Sequence, residues 1–389
     1  MRSSDIIARD GLRLWRRWLG AALRNDLRRC FSRATDPSPA FPAHFLVSVT
    51  YRCDSRCTHC GIWTLYRKEP ESVQREMTLV EFERFLDVNP QLIQTATTGG
   101  EQFNRDDIEE FWLAMDRRGY RTSCATNALE TDRIIEREGA LLSRLSGRHL
   151  RNFAVSLDGL EATHDRIRGT PGGFARAWRL FQWACEQEQR YPFYRVEISS
   201  TLTAANYREF PDFVAWLVAQ GVPPHKIGFM AALPSSHYYQ NEKGLQPVSA
   251  RDEMIAMIEE LQRKHPGFAR NFYTESYLGW LRDPSSGVRC LAGTALGYID
   301  PHWDVYPCIV LDRKLGNLRD CGFDLRRLWQ SPAAREFRAA MAAKPCTLCF
   351  NECNRWTSMR ASTGGLARIA WRQARKLLGA PDDSRRWRM

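Results

Sequence analysis

Long apolar runs are missing from this chain. No stretch of its 389 residues approaches the roughly 18 uninterrupted apolar residues of a membrane-spanning helix. Low complexity is missing too: 25 Gly and 19 Pro are scattered without a period, which excludes a collagen-like rod. Hydrophobic residues at 43% and charged residues at 26% exclude wholesale disorder. A core of this size needs no disulfide staples, so a disulfide mini-scaffold is excluded. Arginines interrupt every apolar stretch near the start and no small-residue cleavage site follows, which argues against a secretion signal. No internal repeat is evident.

The body of the chain also lacks net charge. Of the formal +11, residues 1–35 supply nine basic against three acidic groups, and residues 366–389 seven against two. Residues 36–365 are formally neutral. A nucleic-acid enzyme carries its basic footprint on the working body, so no nucleic-acid partner is expected. The basic ends read as docking elements of a cytoplasmic protein, toward the inner membrane surface or a partner protein. Leu12, Trp15, Leu19, Leu23, Leu27 and Cys30 recur at helical spacing between Arg13, Arg16, Arg17, Arg24 and Arg28. Such a helix can lie on an anionic membrane, or pack on the protein's own body with its arginines in water.

Residues 34–43 form a Pro-rich linker. Strand-like runs follow at 44–51, 92–98, 120–126, 152–157, 194–202 and 226–233. Helical patterns alternate with them near 78–88, 105–118, 131–145, 173–189, 206–220 and 249–264, the first opening on a Thr78/Glu81 capping box. Strand and helix alternating six times predict an α/β fold with a parallel sheet. Six units fall short of the eight of a closed barrel, so a partial (β/α)6 barrel is expected. From about residue 290 cysteines become dense and Gly, Pro and Asp punctuate short segments. The expected organisation is a basic N-terminal helix and linker over 1–43 and the barrel over 44–265. A small cysteine-rich α+β domain over 266–360 and a basic tail over 361–389 complete it.

Two cysteine groups stand out among the twelve. Clusters in a cytosolic-looking enzyme read as metal sites before disulfides. Cys53, Cys57 and Cys60 have the spacing C-x3-C-x2-C directly after the first strand. Three thiolates leave one iron of a cubane open to an outside ligand, the logic that marks catalytic metal sites. The alternative is a zinc site with His59 as fourth ligand. Cys290, Cys308, Cys346, Cys349 and Cys353 form the second group, for which a zinc knuckle is the alternative. Cys124 and Cys185 fall inside strand and helix patterns and read as buried small apolar residues.

One strand beyond the first cysteines stands Thr98-Gly99-Gly100-Glu101, and later Ser156-Leu157-Asp158-Gly159 followed by His164 to Gly169. With the cysteine spacing, these resemble the radical S-adenosylmethionine (radical SAM) superfamily. The resemblance implies a SAM-binding 4Fe–4S cluster on Cys53, Cys57 and Cys60. It implies that Gly99, Gly100 and Glu101 hold the cofactor's amino group, since glycine permits close backbone approach and a carboxylate pairs an ammonium. Ser156 and Asp158 fall near the ribose and methionyl groups, and His59 near the adenine. Arg168 is a carboxylate partner or a structural residue. Asn127 points to the same face or serves its own turn. The C-terminal cysteines resemble SPASM and "twitch" domains. Cys290, Cys308, Cys346 and Cys349 suffice for one auxiliary 4Fe–4S cluster, while Cys321 and Cys353 are too few for a second complete one. Trp303 stands where many relatives have a hairpin glycine.

The implied activity is reductive cleavage of S-adenosylmethionine to a 5′-deoxyadenosyl radical that abstracts hydrogen. The first substrate reading is oxidative modification of a peptide or protein, with flavodoxin or ferredoxin as electron donor. The alternative is a small-molecule, sugar or lipid-linked substrate. A non-catalytic iron–sulfur or zinc protein is the third reading, and it leaves the Gly99–Glu101 and Ser156–Gly159 motifs without a role. Catalytic side chains stay unassigned; Glu197, His237, Tyr238 and Tyr239 are polar groups near the later strands.

Overall fold

The computed structural model describes residues 3–31, 42–245, 247–269, 272–284, 289–344, 346 and 349–377. Most of the Pro-rich linker and residues 378–389 of the basic tail lie outside the described residues. The six expected strands are β1 (His44–Ser48), β2 (Gln94–Thr98), β3 (Thr122–Thr126), β4 (Arg151–Ser156), β5 (Tyr194–Leu202) and β6 (Ile227–Ala231). Helix α1 (Ser3–Phe31) precedes them. Then α2 (Trp63–Lys68) and α3 (Leu79–Val88) follow β1, α4 (Ile108–Arg117) follows β2, and α5 (Thr131–Arg144) follows β3. After β4 come α6 (Glu161–Arg168) and α7 (Gly173–Arg190), after β5 α8 (Phe210–Ala219), and after β6 α9 (Arg251–Lys264) and α10 (Phe272–Arg282). Helix α6 was not anticipated: it is short, and it stops where Gly169 turns left-handed at φ 65°.

Local chemistry supports these elements. The capping box at α3 is formed: the Glu81 amide donates to Thr78 Oγ1 at 3.2 Å, and the Thr78 amide to Glu81 Oε2 at 2.9 Å. Helix α5 buries Ile134, Leu141 and Leu142 on one stripe. Strand β4 alternates buried and half-buried residues, so one face meets the helices and the other a lumen.

Strands β3, β4, β5 and β6 form one parallel ladder. The other has the order β2-β1-β7-β8-β9, with β7 (Leu296–Ile299), β8 (Asp304–Tyr306) and β9 (Gly316–Asn317) from the cysteine-rich region. The two ladders meet where Thr97 Oγ1 donates to the Ser123 carbonyl at 3.2 Å. The boundary expected near residue 265 is not a break in packing. Strand β7 runs parallel to β1, with Leu296 opposite His44. Gly297 allows this approach, because a Cβ there would sit 2.4 Å from the Phe45 ring. The hairpin turns at Trp303, which adopts φ 69°, a conformation costly for a side chain. Full burial compensates: its ring packs on Phe85 and Phe323, and its Nε1 donates to Glu81. Helices α11 (Leu325–Trp329), α12 (Pro332–Ala343), α13 (Glu352–Arg360) and α14 (Thr363–Leu377) complete the fold.

Helix α1 is docked on the body, but not through the leucine stripe. It buries Ile6, Leu14, Trp18, Ala21 and Ala22. Arg13 donates to the Gly119 carbonyl, and Arg17 to those of Pro90 and Leu92.

Candidate active site

The chain leaves β1 and enters the loop of Cys53, Cys57 and Cys60, which is pinned from two sides. On one side stands the glycine pair after β2. The Gly100 amide donates to the Thr50 carbonyl and the Glu101 amide to that of Arg52, both at 2.8 Å. A Cβ on Gly99 would lie 2.4 Å from the Thr50 oxygen, and one on Gly100 2.1 Å from the Arg52 oxygen. Only glycine fits such an approach. On the other side the C-terminus of α6 accepts from the loop: the Arg168 carbonyl takes the Arg56 amide and Ser55 Oγ, both at 3.1 Å.

The loop opens on a cavity with about 940 Å³ of empty space, its solvent mouth included. Cys53, Cys57 and Cys60 line it together with His59, Gly99, Gly100, Glu101, Asn127, Ser156 and Arg168. All these lie at or beyond the C-terminal ends of strands, the working face of αβ barrels. Asp158 is the one expected cofactor residue outside the lining. It is buried beneath, where it accepts Arg168 Nε at 2.6 Å and the Thr201 amide at 2.7 Å. Its ion pair aims Arg168 at the loop, with Nη1 3.7 Å from Cys57 Sγ. Arg168 therefore has a carboxylate partner within the chain and also braces the cysteine loop.

Burial dominates the electrostatics. It pushes the Cys53 thiol well above its ordinary value, reinforced by Cys57 and Glu101. Burial and then Cys57 push Cys60 up to about 12. Thiols crowded this way ionise only when a metal takes the charge. Burial, then the Asp54 carboxylate, pushes Glu101 up to about 7. Glu101 is anchored by the Asn127 amide at 2.7 Å, Thr126 Oγ1 at 3.0 Å and the Phe103 amide at 3.2 Å. Asn127 both lines the cavity, donating to Asp54 Oδ1 at 2.7 Å, and serves its turn, accepting the Leu129 amide at 2.9 Å. Burial pushes His59 down to about 4, against the pull of Asp158. Its ring is thus neutral at pH 7. His59 Nδ1 and Gln102 Oε1 are buried without a hydrogen-bond partner, and both residues line the cavity. Native interiors rarely leave such groups unmatched, so they fit a bound polar molecule.

Sequence reasoning missed several lining residues, among them Ser199, Thr201, Met230 and Asn241. The period-2 alternation of β5 was the available signal for Ser199 and Thr201, which share a face. Nothing local marks Asn241, whose Nδ2 bridges the carbonyls of His59 and Leu233. Tyr238 and Tyr239 line the cavity. Glu197 lines a smaller cavity with His225 and Tyr273 instead. His237 lies away from both, stacked on Tyr306 at 4.5 Å.

Cys290, Cys308, Cys346 and Cys349 form a second thiol group. Burial raises Cys349, and the next causes are Cys308, Cys290 and Cys346. Burial also holds Cys308 at about 12. Arg355 faces this group, donating to the Cys349 carbonyl at 3.3 Å. Cys321 lies elsewhere, after β9, with its thiol on the carbonyls of Leu318 and Asp324. The side chain of Cys353 lies outside the described residues. Among the described residues no three His, Cys, Asp or Glu side chains converge closely enough for one metal ion. A cubane places its sulfur ligands on separate irons, so its thiols need not converge on one ion.

Comparison with known proteins agrees with this arrangement. The radical SAM superfamily model matches residues 47–216, and the model of the SPASM iron–sulfur cluster-binding domain matches residues 290–354. The AdoMet-dependent heme synthase of Methanosarcina barkeri is 26% identical over 310 residues, covering 73% of this chain and 80% of that protein. Among solved structures, anSMEcpe with bound AdoMet superposes with a TM-score of 0.56 at 16% identity, covering 87% of this chain and 100% of that one. Streptococcus suis SuiB bound to precursor peptide SuiA gives 0.56 at 17% identity, covering 83% and 74%. These two likenesses establish the fold: a partial barrel with an appended C-terminal domain.

Proposed function

Since the chain belongs to the radical SAM superfamily and carries a SPASM domain, we propose that it is an oxidoreductase taking hydrogen from a bulky substrate in the barrel lumen. Its cofactors are a 4Fe–4S cluster with S-adenosylmethionine and an auxiliary iron–sulfur cluster. When bound, they supply reductive carbon–sulfur cleavage, the radical that abstracts hydrogen and a sink for an electron. In this reading residues 44–265 form the catalytic barrel and 266–360 the auxiliary domain. Cys53, Cys57 and Cys60 hold the catalytic cluster; Cys290, Cys308, Cys346 and Cys349 hold the auxiliary one.

The chain's own residues do the rest. Glu101, with Gly99 and Gly100 drawing the loop close, receives the cofactor's ammonium. A cation there pulls Glu101 below about 7 and keeps it ionised. Arg168, braced by Asp158, offers its guanidinium to the carboxylate. Neutral His59 flanks the adenine, while Ser156 and Asn127 supply hydrogen bonds to the ribose and methionyl groups. Tyr238 stays fixed by hydrogen bonds with Thr98 Oγ1 at 2.8 Å and the Gly99 carbonyl at 3.2 Å. Flavodoxin or ferredoxin delivers the electron.

One observation carries this reading: the three thiols open on the same cavity as Gly99, Gly100, Glu101 and Arg168. Anaerobically reconstituted protein with S-adenosylmethionine and dithionite is expected to form 5′-deoxyadenosine. Iron-loaded protein that forms none overturns the reading.

The lining of the cavity includes several small side chains, Ala125, Ser156, Ser199, Thr201 and Ala231 among them. It leaves room for a side chain of a peptide, the maturase reading. The name of the Methanosarcina barkeri relative favours the second reading, a small molecule of tetrapyrrole type. Titration with heme separates them. A saturable Soret shift supports the tetrapyrrole; no shift returns the substrate to the peptide class.

A further inference from the structure

We propose that helix α1 is a rigid membrane-surface anchor, presenting Leu12, Leu19, Leu23 and Leu27 to an anionic lipid bilayer. These four are 53%, 39%, 47% and 56% exposed. At 3.6 residues per turn they share a stripe about 80° wide and about 22 Å long. The opposite stripe is the one the body covers, with Leu14, Trp18, Ala21 and Ala22 buried. This helix is no loose arm. Asp10 is buried and accepts both Arg13 at 3.0 Å and Arg121 at 2.5 Å. Asn25 Nδ2 donates to the Ala361 carbonyl at 3.1 Å, and Asp26 accepts the Thr363 amide at 2.9 Å. Each docking contact leaves the leucines facing out, so their exposure is a fixed property of the fold.

Charge chooses the occupant. Arg16 and Arg24 are exposed on the same helix. Helix α14, which packs beside α1, exposes Trp371 and carries Arg368, Arg372, Arg375 and Lys376. The chain's whole formal excess of +11 lies in residues 1–35 and 366–389, which contain most of these two helices. A second copy would bring two arginine-rich helices together and pay for their repulsion. An anionic headgroup layer neutralises them, while leucines enter the acyl boundary. Among the described residues no helix is long and apolar enough to cross a membrane, so α1 is placed on the surface. The proposal stands independently of the enzymatic reading.

Flotation of the full-length, iron-loaded protein with phosphatidylglycerol/phosphatidylcholine vesicles tests it. Wild-type protein is expected to float with these vesicles, and the bound fraction is expected to fall as salt rises. The double variant Leu19→Gln/Leu23→Gln is expected to bind at least about tenfold more weakly. Because both side chains are exposed, its iron content and melting temperature should match wild type. Pure phosphatidylcholine vesicles should recover much less protein, about fivefold less for each arginine engaged. Equal flotation of wild type and double variant overturns the proposal, as does wild-type protein that stays in solution with anionic vesicles. A wild-type dimer in light scattering that the double variant converts to monomer assigns the stripe to a second copy and overturns it as well.

Discussion

The two thiol groups of this protein are built in opposite ways. Cys53, Cys57 and Cys60 line a cavity that opens to solvent, beside unmatched polar atoms of His59 and Gln102. Cys290, Cys308, Cys346 and Cys349 are four, and none lines that cavity. A three-donor site leaves a coordination position for a substrate or cofactor; a four-donor site closes its metal. Each group faces an arginine, and at the first group Arg168 is locked to a buried carboxylate, Asp158. If the first group holds the cofactor-binding cluster, this brace sets a positioned cation beside the ligand that the chemistry needs.

The sharpest way to break this comparison is to remove one thiol from each group. Cys57→Ala should drop 5′-deoxyadenosine formation below detection, a loss of roughly a thousandfold or more, because the cofactor carries the chemistry. Cys308→Ala should keep cofactor cleavage within about tenfold of wild type, since the open site is intact, yet lose iron and substrate oxidation. Iron analysis and chromatography of 5′-deoxyadenosine read both. Equal loss of cleavage in the two variants would collapse the division of labour.

Next comes the brace. Asp158→Asn leaves Arg168 buried with its charge uncompensated, which should cost about 3–5 kcal/mol by urea unfolding. Arg355→Met at the other group removes a hydrogen bond to the Cys349 carbonyl and the stacking of the guanidinium on Phe350, and should cost less, about 1–2 kcal/mol. The loop itself supplies the third test. Gly100→Ala places a methyl 2.1 Å from the backbone oxygen of Arg52, and backbone cannot rotate aside. A loss of about 2–4 kcal/mol in stability is expected, with weaker S-adenosylmethionine binding by calorimetry.

How much of this was readable beforehand depends on distance along the chain. All six strands and their principal helices follow from periodicity, because burial of one face imposes it locally. The Cys53–Cys60 spacing and Gly99–Glu101 are contiguous motifs, so they were legible as well. Asn241 reaches the cavity only through the fold, and no neighbour in sequence marks it. Asp158 was placed in the right region but one layer too shallow, since sequence cannot tell a ligand from the residue that aims it. Helix α1 gives the reverse lesson. Counting large apolar residues picks out the leucine stripe, whereas the face that docks uses Ala21 and Ala22, whose small size permits close approach. Sheet continuity between β1 and β7 was hidden because a density change in cysteine and glycine looks like a domain boundary, while strand pairing depends on Gly297 making room for Phe45.

The smallest effect belongs to the joint between the two halves. Glu81 caps α3 in the barrel and also accepts Arg319 at 2.7 Å and Trp303 Nε1 at 3.2 Å from the cysteine-rich side. Burial raises its carboxyl, but hydrogen bonds from Arg319, the Thr78 amide and Trp303 outweigh this and bring it to about 2. A carboxyl whose folded value is depressed contributes stability above its unfolded value and loses it as pH falls. Here the contribution is complete above the ordinary glutamate value of 4.5 and vanishes toward about 2. Glu81 is partly exposed, so solvent screening reduces its worth to about 1 kcal/mol. Glu81→Gln should therefore lower the melting temperature by roughly a degree at pH 7 and by progressively less below pH 4.5. A difference that stays constant down to pH 3, roughly a unit above the folded value, would show that the cap and not the charge joins the barrel to the hairpin.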